Sequence, residues 1–164
     1  MNRTYESDRL LLNILTPNDH EFILALVSSP EWIRFIGDRN LKNQQDALAY
    51  IDKILNNPNV EYRVVRLKKE MQAIGLVTLI KRDYLDHHDL GFAFLADFTG
   101  KGYAFEAAST VLQYLIKSGA HDRLLATTLP DNSSSIRLLE KLGFQFEKQI
   151  RPEVEELLLY AFNE

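Results

Sequence analysis

Hydrophobic positions change period several times along the chain, and each change marks an element. Arg9-Leu10-Leu11-Leu12-Asn13-Ile14-Leu15 is a short apolar run that stops at Thr16-Pro17-Asn18-Asp19. It predicts a strand followed by a helix, because Thr16 suits an N-cap and Pro17 a first helical position, where its missing N–H costs nothing. Phe22, Ile23, Leu26 and Val27 then recur at helical spacing. Ser29-Pro30-Glu31 repeats the cap-plus-proline signal ahead of a short helix carrying Trp32, Phe35 and Ile36, with Gly37 as its stop. From Asn43 to Asn56 the apolar residues Ala47, Leu48, Ile51, Ile54 and Leu55 share one helical face, and Asn57-Pro58 breaks the pattern.

After that breaker the β-branched residues take over. Tyr62, Val64, Val65 and Leu67, then Ala73 to Ile80, flank the polar turn Lys68-Lys69-Glu70 and predict an antiparallel hairpin, with a third strand at Leu90 to Leu95. From Gly102 the period is helical again: Ala104, Ala107, Ala108, Val111, Leu112, Leu115 and Ile116 form a stripe that Gly119 is placed to end. Arg123 to Leu129 reads as a strand, Asn132 to Leu142 as a helix stopped by Gly143, and Phe144 to Ile150 with Val154 to Phe162 as two closing strands. Strands and helices interleave throughout, so the expected class is α/β, of the mixed α+β kind, with helices covering the sheet. Leu157-Leu158-Leu159 in the last hairpin offers a pairing edge, which leaves monomer or homodimer open.

Composition narrows the function. With 164 residues, 46% of them apolar, the chain reads as one domain, 1–164, that buries roughly 70% of its unfolded surface. It has no cysteine and four histidines, so thiol chemistry and a structural zinc site are excluded and no metal is expected. A net charge of -4 argues against a nucleic-acid partner, since phosphate binding needs a surplus of Lys and Arg. The polar start, Met1 to Arg9, and the lack of an apolar run near ~20 residues point to a cytoplasmic protein with no membrane partner.

Two segments carry candidate chemistry. Asp97-Phe98-Thr99-Gly100-Lys101-Gly102-Tyr103-Ala104 joins a strand to the longest helix, and glycines there let backbone N–H groups converge on an anion. The spacing is not that of a P-loop, and Phe105 stands where a dinucleotide fingerprint needs its third glycine, so neither ATP nor NAD is indicated. By itself the turn is equally an ordinary connector. The second segment, Leu129-Pro130-Asp131-Asn132-Ser133-Ser134-Ser135-Ile136-Arg137-Leu138-Leu139-Glu140-Lys141-Leu142-Gly143-Phe144, is a strand end, a polar cap and an amphipathic helix, in which Asn132 or a serine can simply be the N-cap.

Taken together, the T-G-K-G-Y-A turn, the long helix, the strand and N-x-x-S-x-R-L-L-E-K-L-G-F resemble the GNAT superfamily of acetyl-CoA-dependent N-acetyltransferases. The similarity is closest to the branch of ribosomal-protein N-terminal acetyltransferases of the Rim type. The opening Arg9 to Asp19, Ala73-Ile74-Gly75-Leu76 and Leu90-Gly91-Phe92 also sit where that branch has them, so the resemblance covers nearly the whole chain. It implies a central twisted, mixed, mostly antiparallel sheet with helices on both faces. In the superfamily turn, Gln or Arg is followed by two residues, Gly, one residue, then Gly or Ala. Gly102 and Ala104 fit; Thr99 replaces the long side chain.

The resemblance implies acetyl-CoA as co-substrate and an amine as acceptor, which in the Rim-type branch is a protein N-terminus. A small amine such as a polyamine, aminoglycoside or amino acid derivative is the alternative, and a binding module that has lost catalysis a further one. Backbone N–H groups from Thr99 through Gly100, Lys101, Gly102, Tyr103 and Ala104 would hold the pyrophosphate, with Lys101 adding charge. Phe92, Ala93, Phe94 and Leu95 would pair with pantetheine, a backbone N–H there polarising the thioester carbonyl. An amine attacks only when neutral, so a general base is needed. Asp89 occupies the place where relatives often carry a glutamate, and His87 and His88 are rivals because imidazole titrates near neutral pH. Ser135 matches the acid that protonates the leaving thiolate, and Asn132 the group ordering the cofactor arm. Trp32, Phe35 and Tyr84 would line the acceptor side, though aromatics at helical spacing also serve cores. Glu106 reads as a favourable charge in a helix first turn. Glu153-Val154-Glu155-Glu156 either attracts a basic acceptor or forms a solvated strand edge.

Overall fold

The computed structural model describes residues 4–163, so Met1 to Arg3 of the polar start lie outside the described residues. The strands are β1 (Tyr5–Glu6), β2 (Leu10–Ile14), β3 (Val60–Leu67), β4 (Ala73–Ile80), β5 (Asp89–Phe94), β6 (Arg123–Thr128), β7 (Gln145–Ile150) and β8 (Leu157–Asn163). They form one sheet in the order β1-β2-β3-β4-β5-β6-β8-β7. Neighbours are antiparallel except β5 and β6, which run parallel. The helices are α1 (His20–Val27), α2 (Pro30–Phe35), α3 (Gln44–Leu55), α4 (Tyr103–Lys117) and α5 (Ser133–Leu142). This is the mixed, mostly antiparallel α/β architecture the sequence predicts.

Local signals set most boundaries. Ser29 Oγ accepts the Trp32 N–H at 3.4 Å, Asn43 that of Asp46 at 2.9 Å and Asn132 that of Ser135 at 3.3 Å, each filling an orphan donor at a helix start. After Pro17 the first turn is 3-10 (Pro17–Asp19), and the Asp19 carboxylate turns back to accept the Thr16 N–H at 2.9 Å, so the α-helix proper starts at His20. Gly143 ends α5 at φ +99°, a left-handed value that favours glycine.

The last strand differs from expectation. It begins at Leu157, and Val154, 82% exposed, lies in a loop, so Glu153 to Glu156 is not a strand edge. Nor is Leu157-Leu158-Leu159 a free edge, because β8 pairs with β6 on one side and β7 on the other. The sheet ends instead in β7, whose residues are mostly exposed.

Alternating strand residues feed two cores. On one face Leu10, Leu12, Val65, Ile74, Val77 and Leu90 pack under Ala107, Ala108, Val111 and Leu112 of α4 and Leu139 of α5. On the other, Val64 and Leu76 pack under Ile23, Leu26, Trp32 and Ile51 of α1–α3. Burial of a leucine or isoleucine contributes roughly 1.5–3 kcal/mol relative to exposure, so both layers are needed to hold the sheet. Gly75 is a close approach: a Cβ there would stand 2.4 Å from Phe94 Cδ2, so only glycine lets that ring cross β4.

Candidate active site

The central strands part where β5 meets β6. They share a single register pair, Asp89 with Leu125, tied by the Leu125 N–H to the His88 carbonyl at 2.9 Å. Backbone polar groups alternate sides along a strand. The Leu95 N–H donates to Ile74 of β4 at 2.9 Å, and His88 reaches β6, so even-numbered Phe92 and Phe94 turn their N–H and C=O toward the opening gap. Their rings pack with the α4 core, which leaves the backbone as the group they present. Leu95 departs from expectation: its N–H is used by Ile74 and its side chain packs with the α1–α3 core, so it offers nothing to a ligand.

The gap opens into a cleft of about 1020 Å³, lined by Phe92, Phe94, Thr99, Gly100, Gly102, Tyr103, Ala104, Asn132 and Ser135 and, further along, Asp89, Trp32, Phe35 and Tyr84. Predicted residues from three distant parts of the chain thus share one wall system, with Leu95 and Lys101 outside it.

At one end lies the glycine turn. Gly100 and Gly102 have φ +75° and +83°, values that side chains resist. Among the described residues the N–H groups of Gly100 through Ala104 have no acceptor, as expected at a helix start, and they lead into the positive end of α4. Thr99 does not join them: its N–H and hydroxyl both bond the Ala96 carbonyl, at 3.2 and 2.8 Å. The run of N–H groups without an acceptor therefore starts at Gly100, one residue after Thr99. Lys101 is exposed, its ammonium 5.7 Å from the Phe98 ring centre, and Lys141, which the sequence reading did not single out, lines the cleft 4.2 Å from the Phe105 ring.

The turn is braced from outside. Glu106 accepts from Ser7 Oγ at 2.6 Å, the Arg9 N–H at 2.9 Å and Arg9 Nε at 2.7 Å, while the Arg9 guanidinium also bonds the Lys101 carbonyl at 3.3 Å. Partial burial pushes Glu106 up, but these donors outweigh it and hold its carboxyl below the usual range. Glu106 is thus a tie between the β1–β2 turn and α4, beyond a first-turn charge. A partner 97 residues away leaves no local signal.

At the other end, Asp89 is buried, with 3% of its surface exposed. One carboxylate oxygen accepts from Arg82 Nε at 2.5 Å and from Thr127 Oγ1 of β6 at 3.3 Å. Burial raises its pKa; Arg82 and Thr127 pull it back. His87 and His88 are not part of the cleft wall. His88 instead meets His121 edge-on at 4.9 Å, and burial, then His121, lowers its pKa. Of the three candidate bases, Asp89 is the one in the cleft.

Asn132 is both the α5 cap and a cleft residue, so the two readings of it coincide. Trp32 also fills two roles: it is 4% exposed, packs in the α1–α3 core and lines the cleft, with Nε1 buried and without a hydrogen-bond partner among the described residues. Phe35 is half-buried and Tyr84 exposed, and both line the cleft. Among the described residues no group of three or more His, Asp or Glu is placed to hold a metal ion.

A run of free N–H groups at a helix start suits a pyrophosphate, and a gap edged by the free backbone of Phe92 and Phe94 suits an amide-bearing arm. Those are the two chemical halves of coenzyme A, so the residues present fit acetyl-CoA. Residues 9–145 match the acetyltransferase (GNAT) domain family. An uncharacterized N-acetyltransferase of Bacillus subtilis, YnaD, is 30% identical over 141 residues, 85% of this chain and 81% of that one. Among solved structures, the Vibrio fischeri ribosomal-protein-S5-alanine acetyltransferase superposes with a TM-score of 0.79 at 19% identity, covering 98% of this chain and 96% of the other. The microcin C7 self-immunity acetyltransferase MccE, in complex with acetyl-CoA and AMP, superposes with a TM-score of 0.83 at 19% identity, covering 96% and 94%. With the parted strands, the open N–H cradle and the family match in agreement, the chain belongs to the GNAT family of N-acetyltransferases.

Proposed function

We propose that this N-acetyltransferase acts on the α-amino group of a protein N-terminus, as the Rim-type branch does, in the cytoplasm and as one acetyltransferase domain. The observation that carries the acceptor is the rim of the cleft. Ile36, Tyr84 and Val154 line it yet are 44%, 44% and 82% exposed, and with the exposed Glu31, Arg39, Glu153 and Glu155 they make a broad lip of mixed apolar and charged groups. A small amine would be swallowed below such a lip, whereas a polypeptide leaving the cleft would cover it.

Acetyl-CoA supplies the acetyl group as a thioester. The N–H groups of Gly100, Lys101, Gly102, Tyr103 and Ala104 hold its pyrophosphate, and Lys101 and Lys141 add positive charge. Phe92 and Phe94 bind the arm through their backbone, and one of their N–H groups polarises the acyl oxygen. Asp89 takes the acceptor's proton through a water. Burial makes it more basic than an exposed carboxylate, while Arg82 and Thr127 favour its charged form. Ser135, in the first turn of α5, donates a proton toward the departing sulfur, and Asn132 fixes that turn and orders the arm. Trp32, Phe35 and Tyr84 receive the first residue of the acceptor.

The test is a panel of peptides with free N-termini set against a polyamine, an aminoglycoside and an amino acid amide, read by CoA release. Peptide acetylation blocked by prior N-terminal modification supports the proposal. Turnover of the small amines alone refutes the protein acceptor. Saturating acetyl-CoA, at ~100 times its Kd, adds about 2.7 kcal/mol and raises the melting temperature by roughly 5–10 °C; no shift removes the cradle assignment.

A further inference from the structure

On the α1–α3 face, register sets Tyr62 of β3, Thr78 of β4 and Gly91 of β5 side by side across three strands. Asp89 stands two residues from Gly91, hence on the same face of the same strand. All four line the cleft.

The row contains a hydroxyl with no structural use. Thr78 is the one polar side chain of β4, in Ala-Ile-Gly-Leu-Val-Thr-Leu-Ile. It is half-buried, and its hydroxyl makes no hydrogen bond with any described residue. Valine has the same shape, suits a strand at least as well and carries no polar atom to desolvate. The neighbouring Tyr62 hydroxyl, by contrast, is paired with that of Tyr50 at 3.1 Å.

Position 91 shows where the hydroxyl points. A Cβ there would stand 2.6 Å from Thr78 Oγ1, so the oxygen occupies the space a side chain on β5 would fill. Glycine at this position therefore leaves an oxygen standing over the strand whose next residue, Phe92, faces the parted gap with its backbone. Thr78 Oγ1 is held on the acceptor side of that strand, with Asp89 further along it.

We propose that Thr78 Oγ1 accepts a hydrogen bond from the N–H of the acceptor amine and aims the nitrogen lone pair at the acyl carbon. This rests on reading the Asp89 end of the cleft as the acceptor side. In the step, the amine lone pair forms the N–C bond and the C–S bond breaks. Its electron pair leaves with the CoA sulfur, and the amine proton passes toward Asp89. A hydroxyl is suited to the task because it accepts from a neutral or a charged amine without itself titrating.

The experiment compares the wild type with Thr78→Val and Thr78→Ser, using whichever amine of the panel above the wild type turns over. Thr78→Val is expected to raise KM for the amine or lower kcat, with kcat/KM down about tenfold, the scale of one hydrogen bond to a polar or charged group. Thr78→Ser, which keeps the oxygen, is expected to stay within about twofold on the same scale. The melting temperature and its rise with acetyl-CoA are expected to be unchanged in Thr78→Val. Wild-type kcat/KM in Thr78→Val overturns the proposal, as does an equal loss in both variants, which would mark a packing role. An Asp89→Asn variant of full activity would instead overturn the base assignment and leave the Thr78 comparison standing. A small amine as the acceptor overturns only the protein substrate.

Discussion

Replacing Arg82 by methionine keeps an unbranched stem as far as the Nε position and removes the charge that faces Asp89 at 2.5 Å. The carboxylate is left 95% covered, with Thr127 as its remaining hydrogen-bonding side chain. Breaking a buried pair from one side costs about 3–5 kcal/mol, but the Arg82 side chain is 37% exposed and water can enter behind it, which reduces the expected loss to about 2–3 kcal/mol. For a chain of this size that is a fall of roughly 5–10 °C in melting temperature. The loss depends on pH with a definite sign. Burial already holds the folded-state pKa of Asp89 above its unfolded value, and without Arg82 it rises further. The folded state then binds the proton more tightly than the unfolded state, so stability is retained at low pH and lost as pH rises through the folded-state value. The gap between wild type and Arg82→Met is therefore expected to be smallest at acidic pH and to widen as pH rises, followed by circular dichroism. Adding Asp89→Asn to Arg82→Met is expected to recover most of the loss, because an amide needs no counter-charge. A gap that stays constant with pH, or that closes as pH rises, would refute the reasoning.

Three further outcomes follow from the same geometry. Ser135→Ala is expected to lower kcat at least tenfold while the acetyl-CoA thermal shift stays unchanged, since Ser135 N–H, not its hydroxyl, makes the helix-cap bond; an unaltered kcat removes it from the mechanism. Gly75→Ala puts a Cβ 2.4 Å from the Phe94 ring and is expected to cost about 1–3 kcal/mol and to weaken acetyl-CoA binding by tilting the strand edge at Phe94, read by melting with and without the ligand. Glu106→Gln loosens the Ser7 and Arg9 ties and is expected to cost about 1–2 kcal/mol at pH 7. Its folded-state pKa is depressed, so the wild-type advantage is present above the unfolded value and fades as pH falls through the folded one.

The chain's local chemistry determined its elements. Caps at Ser29 and Asn132, the stops at Gly37 and Gly143 and the hairpin around Lys68-Lys69-Glu70 depend on residues within a few positions of one another, and all are where the pattern puts them. The family resemblance, carried by the glycine turn and the N-x-x-S helix, was legible for the same reason: each is a short run of backbone chemistry. Tertiary structure decided what each group is free to do. Thr99 lost its place in the cradle because its own N–H and hydroxyl turn back to Ala96, and Leu95 lost its place because the β4 register consumes its N–H. Asp89 was legible as a cleft carboxylate, but its hold on Arg82 and on Thr127, 38 residues on, was not. The same holds for Glu106 with Ser7 and Arg9, and for the apolar end of the chain, which became an interior strand once β6 paired with it. Hydrogen-bond donors and acceptors are finite, and which of them remain for a ligand is settled only when distant strands and turns have taken theirs.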